Sequence, residues 1–422
     1  TDPGCPEDSR MISELTSGDL VLCRYGKNER NGIYITGRDG MAVVKLTSGY
    51  NIGIPADRLT FIARPEVSPA PEIRIDQDTS LPGLSIVSTG GTIASRIDYR
   101  TGAVTSQFDA EDILRAIPRL RSIGWFRARK LYTILSENMT PTIWQELARA
   151  VHEEIRKGST GVIVTHGTDT MAYSAAALSF MLDTPVPVVF VGSQRSADRP
   201  SSDNTMNALC SASTAISDLG EVAVVMHAST SDDCCSIHRG TRVRKMHSSR
   251  RDAFRSIGIP PIGRIDYPTL EVTLAGHARK RTRIEPALSD GIEERCGLIT
   301  FYPGMPSSVL EMYQGYRGLV IAGTGLGHVS SDLVPVIRSF IDEGMMVVMA
   351  TQCLHGRVCD RVYDTGRDLL RAGVIEGEDM LPETAMVKLM HVLGTEPDRE
   401  KATQLIKKDL KGEFTRRSAN GF

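Results

Sequence analysis

The sequence predicts an α/β protein: two units of parallel sheet covered by helices, preceded by a small all-β module. Three observations predict it. Continuous apolar runs such as GVIV (161–164) and VAVVM (222–226) alternate with helical patterns, as strands buried on both faces do. That grammar fades after 258 and restarts at CGLITFYPG (296–304), which makes two units. Residues 16–62 follow a different rule: DLVLCR, NGIYITG, MAVVKL and YNIGI are short runs broken by Gly, Asn and Asp, the spacing of a small barrel.

The elements follow in order. Prolines at 65, 69, 71 and 82 mark an extended linker, because Pro fixes φ and removes a donor. GLSIVS is a strand and TGGT (89–92) a tight turn. In TPTIWQELARAVHEEIRKG, Thr140 suits an N-cap, Pro141 the first turn and Gly158 the end of a helix. Ile143, Leu147, Val151 and Ile155 recur on one face. GVIV, PVPVVFVG and VAVVM are strands, separated by helices over TMAYSAAALSFML and DNTMNALCSASTAISDLG. Residues 258–295 read as a hairpin region and a second linker. GLVIAGTG and MMVVMA are strands of the second unit, with a helix between them carrying Leu333, Val336, Ile337, Phe340 and Ile341. PETAMVKLMHVLG is the last clear helix, followed by a charged tail. The expected divisions are a β-barrel at 1–63, a linker at 64–83, a catalytic α/β domain at 84–285 and a smaller α/β domain at 286–422.

Composition excludes several classes. Lys and Arg total 49 against 51 Asp and Glu, a net charge of −2, so charge does not advertise a nucleic-acid binder. No apolar run reaches the ~18 residues of a membrane span, and TDPGCPEDSR lacks the pattern of a signal peptide. Eight scattered cysteines read as reduced thiols of a cytoplasmic protein. Nine scattered histidines include no zinc-like cluster, so no metal site is expected. Residues 238–255 hold seven Lys and Arg against the single Asp252, and Lys407, Lys408, Lys411, Arg416 and Arg417 make a basic tail. Such patches can neutralise phosphates; the plainer reading is a solvated hairpin and a solvated tail.

Two loops at strand ends carry chemistry, since ligands of open α/β sheets bind outside the carboxyl ends of the strands. STGGT (88–92) follows SIV; Gly90 and Gly91 allow close approach of the backbone and leave N–H groups for an anion. THGTDT (165–170) follows GVIV and crowds His166, Thr168, Asp169 and Thr170 into one turn. Helix capping explains any one of these residues and not the crowd.

Together STGGTIAS and VTHGTDTM resemble the two signatures of the L-asparaginase/glutaminase family. PVVFVGSQRSADRPSSDNTMNAL, RGTRVRKMHSSRRDAFRS and AGTGLGH extend the resemblance over about 84–395. It implies a large flavodoxin-like parallel sheet plus a smaller C-terminal α/β domain. By the resemblance, Thr92 is the nucleophile, Thr168 and Asp169 are the threonine–aspartate pair, and Lys245 completes the catalytic group. Tyr99 sits where the family has a tyrosine on a mobile loop. Ser136 and Glu137 fall where the family grips the α-amino and α-carboxyl groups of the substrate; Glu137 departs from the Gln frequent there. The chemistry the resemblance implies is amide hydrolysis: acyl transfer to Thr92, release of ammonia, then hydrolysis, with N–H groups near Gly91 and Gly167 expected to face the oxyanion. A buried Lys245 would act as base, whereas one held charged by Asp169 would act electrostatically; both roles stand.

The N-terminal module and the stretch TQCLHGRVCDRVYDTGRDLLRAGVIEGEDMLPETAMVKLMHVLG resemble the D subunits of archaeal glutamyl-tRNA(Gln) amidotransferases. That resemblance implies a glutaminase passing ammonia to a partner E subunit, which phosphorylates and amidates glutamate on tRNA(Gln). It implies a homodimer inside a two-D, two-E assembly, tRNA held mainly by the partner, and ATP and Mg²⁺ used by the partner, with no cofactor in this chain. A free-standing type I asparaginase with an appended domain is the second hypothesis. A retired scaffold that binds RNA or a partner is the third, and the intact Thr92, Thr168, Asp169 and Lys245 set argues against it.

Overall fold

The structure, a computed structural model, describes residues 15–25, 28–48, 50–64, 76–90, 96–97, 104–105, 110–196 and 199–417. At its N-terminal end β1 (Leu20–Tyr25), β2 (Asn28–Arg38), β3 (Met41–Leu46) and β4 (Asn51–Pro55) form an antiparallel meander. The fifth strand, β5 (Leu59–Ala63), pairs back onto β1, giving the order β4-β3-β2-β1-β5. One turn of 3-10 helix, Ala56–Arg58, carries the chain from one edge of this sheet to the other. So short a link requires the sheet to coil until its edges approach, the barrel-like form expected from the spacing. Val21, Tyr34, Val44 and Ile54 fill its inside. Asp19 before β1 accepts two 2.8 Å bonds from Arg64 after β5, tying the ends of the module together. The guanidinium holds the Asp19 carboxyl below its usual range.

The central unit begins with β6 (Gly83–Ser88), the short hairpin β7 (Arg96–Ile97) and β8 (Val104–Thr105), α1 (Ala110–Ala116) and β9 (Trp125–Lys130). Then come α2 (Pro141–Arg156), β10 (Gly161–Thr165), α3 (Met171–Met181), β11 (Leu182–Asp183), β12 (Val188–Val191), α4 (Asn204–Ile216) and β13 (Val222–His227). Strands β9, β6, β10, β12 and β13 lie side by side and parallel. In chain order this is 2-1-3-4-5, the flavodoxin-like arrangement. Antiparallel strands β14 (Cys234–Arg239), β17 (Gly263–Asp266) and β18 (Glu271–Leu274) complete an eight-stranded sheet. The separate hairpin β15 (Val243–Lys245) and β16 (Phe254–Ser256) branches off between β14 and β17. Strands β17 and β18 are the hairpin anticipated after 258. Strand β9 carries WFRARK, whose alternating charges mask it; it is an edge strand with a partly exposed face.

The second unit is a four-stranded parallel sheet of β20 (Cys296–Thr300), β21 (Gly318–Gly323), β22 (Met346–Thr351) and β23 (Ile375–Glu376). The connector's β19 (Ala287–Leu288) pairs with β11. Helices α5 (Ser307–Glu311), α6 (Val334–Asp342), α7 (Asp364–Ala372), α8 (Pro382–Thr395) and α9 (Arg399–Ile406) dress it. One apolar core runs between the units: Val164, Ala175, Leu178 and Phe180 share it with Val320, Val348, Leu389 and Met390. The packing of α3 against α8 makes that seam.

The charged tail is a correction. Residues 399–406 form α9, burying Ala402 and Ile406. Beyond it Glu413 is fully buried and pairs at 2.6 Å with the equally buried Lys388 of α8. Polar composition hid this docking, because a charge pair replaces the apolar face that periodicity would reveal. Seven cysteines lie among the described residues, and all are free thiols. Among the described residues no helix is long and apolar enough to cross a membrane.

Candidate active site

A 2-1-3-4-5 sheet has its switch of direction between β6 and β10, and a crevice opens there at the carboxyl ends. The two signature loops leave those two strands. Thr165 stands opposite Ser88 in the β6–β10 register and donates a 2.9 Å hydroxyl bond to it. Thr89 N–H donates to Thr165 O at 3.1 Å, so the loop bases are fastened to each other.

Gly90 has φ +124°, and a Cβ there would meet Ile134 O at 2.5 Å. Only glycine suits both the dihedral and the space. Gly167 is pressed against Ser136: a Cβ would lie 2.7 Å from Ser136 Cβ. The hydroxyl of Thr170 donates to Ser136 O at 2.7 Å. The structure therefore brings Ser136 to the THGTDT loop, while Glu137 beside it is exposed. Gly192, at the end of β12, completes the crevice wall; a Cβ on it would lie 2.9 Å from Thr168 Cγ2.

Lys245 arrives from β15, 76 and 77 positions after its partners. Its Nζ donates to Thr168 Oγ1 at 2.9 Å and to Asp169 Oδ1 at 2.7 Å. The lysine side chain is 13 % exposed and that of Asp169 68 % exposed. Three of the residues expected to act together are thus one hydrogen-bonded group at the carboxyl end of β10. Such a group holds a hydroxyl polarised by an ammonium or amine, beside a carboxylate open to solvent. Thr92, Gly91 and Tyr99 lie outside the described residues.

Three features gain their physical account only in the structure. His166 is buried, and burial pulls its imidazole down to about 4. Its Nδ1 contacts Gly167 O at 2.7 Å; a carbonyl only accepts, so Nδ1 carries the proton and fixes the neutral tautomer. Asp203 is fully buried and accepts the N–H groups of Gln194 and Arg195, each at 2.9 Å, shaping the loop after β12. It stands just before α4, and sequence reading made it only the first residue of that helix. The seven cations of 238–255 are each engaged by a carboxylate: Arg239 by Glu221, Arg242 by Asp379, Arg244 by Glu383, Lys245 by Asp169, Arg250 and Arg255 by Asp252, Arg251 by Asp232. Each charge of the patch is balanced by a carboxylate, so the hairpin is braced rather than simply solvated.

The chain matches the family models "Asparaginase, N-terminal" over residues 83–276 and "Glutaminase/Asparaginase C-terminal domain" over 295–406. Among solved structures it resembles the thermostable L-asparaginase of Thermococcus kodakarensis, at TM-score 0.72 and 32% identity. That similarity covers 79% of this chain and 100% of the asparaginase. L-asparaginase I of Vibrio cholerae follows at TM-score 0.69 and 28% identity, with 79% and 99% covered. Two relatives matched over nearly their whole length are named as D subunits of glutamyl-tRNA(Gln) amidotransferase. That of Methanosarcina mazei is 53% identical, with 95% of this chain and 98% of the relative covered. That of Archaeoglobus fulgidus is 54% identical, with 96% of each covered. Identity above one half over about 95% of the chain means that it belongs to the family of glutamyl-tRNA(Gln) amidotransferase D subunits, on an asparaginase/glutaminase fold.

Proposed function

We propose that this chain is the glutaminase component of a tRNA-dependent amidotransferase: it hydrolyses glutamine to glutamate and ammonia and delivers the ammonia to an E subunit. The observation that carries the reading is the contact of Lys245 Nζ with Thr168 Oγ1 and Asp169 Oδ1, at 2.9 and 2.7 Å, at the switch point of the sheet. A hydroxyl so polarised can pass a proton to or from a nucleophile in the facing loop. In this reading Thr92 attacks the side-chain carboxamide and Thr168 relays its proton. Backbone N–H groups near Gly91 and Gly167 receive the oxyanion. Ammonia leaves as the acyl-enzyme forms, and water then releases glutamate. In the same reading Ser136 and Glu137 hold the amino-acid end of the substrate, and Tyr99 plays the part of the family's loop tyrosine.

The role within an amidotransferase rests on the relatives' names and on the extra N-terminal fifth of the chain. Asparaginase folds cover 79% of it, whereas the amidotransferase relatives match about 95%. The assembly we propose has two copies of this chain and two E subunits, with ATP, Mg²⁺ and most of the tRNA contact on the partner. The test is ammonia release from Gln and from Asn by the chain alone and with E subunit and Glu-tRNA(Gln). Gln activity that rises with partner and tRNA supports the proposal; robust Asn activity by the lone chain would establish a free-standing asparaginase instead.

A further inference from the structure

The β15–β16 hairpin that carries Lys245 lies outside the eight-stranded sheet and, among the described residues, its strands pair only with each other. Something else must aim it. Val243 and Phe254 bury their side chains in the core between the units, which fixes its depth. Its direction is set at the base by Arg242, three residues before Lys245. That guanidinium is completely buried. One arm, Nη1, donates to Asp379 O at 2.9 Å and to Glu413 O at 2.8 Å; the other, Nη2, donates to Asp379 Oδ2 at 2.9 Å. Gly258 leaves the room: its φ is +74°, and a Cβ there would overlap Nη2.

Both acceptors belong to the far end of the chain, and both are themselves held. Asp379 also takes the N–H and the hydroxyl of Thr415, each at 2.7 Å. Glu413 is locked by Lys388 and by the N–H groups of Leu410 and Lys411. Arg357 donates to Thr415 O at 2.6 Å and to Arg416 O at 3.1 Å. The tail is thus a rigid seat for Arg242.

We infer that Arg242 is a positioning residue for Lys245, and that the C-terminal segment 410–417 serves the active site by holding it. The inference rests on the assignment of Lys245 to the catalytic group. Three donor bonds from one planar fork leave the strand no freedom to swing, and a small misplacement of a proton-handling group is costly.

The experiment compares Lys245→Met, Arg242→Lys and Thr415→Val, each assembled with E subunit and Glu-tRNA(Gln), for kcat, KM for glutamine and thermal midpoint. A lysine at 242 keeps the charge and loses the fork. We expect kcat to fall about tenfold in Arg242→Lys and about threefold in Thr415→Val, with KM within about twofold. A purely structural Arg242 would lower the midpoint and leave kcat of the folded enzyme at the wild-type value, and that result overturns the inference. If Arg242→Lys does not fold, wild-type kcat in Thr415→Val overturns it. Full activity in Lys245→Met would instead remove the underlying assignment, whatever the other two variants do.

Discussion

At the scale of single residues, the group around Thr168 has a sharp consequence. Thr168→Ala removes the hydroxyl that Lys245 touches at 2.9 Å. Its kcat for glutamine should fall about 10²–10³-fold, with the thermal midpoint within a few degrees of wild type. Steady-state kinetics beside a melting curve checks both halves. Gly90 is a second case. Alanine there must accept φ +124° and push Ile134 O away; we expect a loss of about 1–3 kcal/mol in urea unfolding, together with reduced turnover. The sequence made the THGTDT loop legible because four polar side chains share one turn. The lysine was legible only through its matched segment, since nothing in local spacing says that residue 245 returns to residue 168. Arg242 and Asp203 were not legible, because a buried charge is recognised only by the partner that three-dimensional folding supplies.

At the scale of elements, the plainest success of sequence reading is α2. Thr140 caps it through a bond accepted from Ile143 N–H, and Pro141 opens it. Thr140→Ala should cost about 1 kcal/mol in chemical denaturation without altering kinetics, because among the described residues the cap takes no part in the hydrogen bonds of the crevice loops. A larger loss would mean that the start of α2 carries tertiary load beyond its cap. Continuous apolar strands were equally readable: β10, β12 and β13 are buried along their whole length. Strand β9, helix α7 and helix α9 escaped. Each is rich in Arg, Lys, Asp or Glu and buries few side chains, so the periodic signal is too thin to separate from loop.

At the scale of the whole molecule, stability and assembly come to the fore. Asp360 is fully buried, neither of its carboxyl oxygens has a partner among the described residues, and burial, with the charge of Glu376 adding to it, pushes its pKa up to about 7. The folded chain therefore keeps this proton at pH values where the unfolded chain has released it. Its stabilisation is complete below about pH 4 and is lost as pH rises to about 7. Asp360→Asn cannot ionise, so it should gain stability relative to wild type at pH 8 over pH 4 by about 2–4 kcal/mol. Urea unfolding at the two pH values measures it, and equal effects at both would contradict it. The N-terminal module has its own core, separate from the one shared by the two sheets. A chain beginning at Asp76 should accordingly fold and melt in one transition with a midpoint close to that of the full chain.

In the proposed function a threonine of the first signature loop is acylated by glutamine, with Thr168, Asp169 and Lys245 serving it. A glutamine analogue bearing an electrophile in place of the carboxamide would trap that step, and mass spectrometry of the digested protein locates the adduct. We expect one adduct per chain, on Thr92, lost in Thr168→Ala and Lys245→Met and prevented by excess glutamine. An adduct on any other residue, or undiminished labelling in both variants, would contradict it.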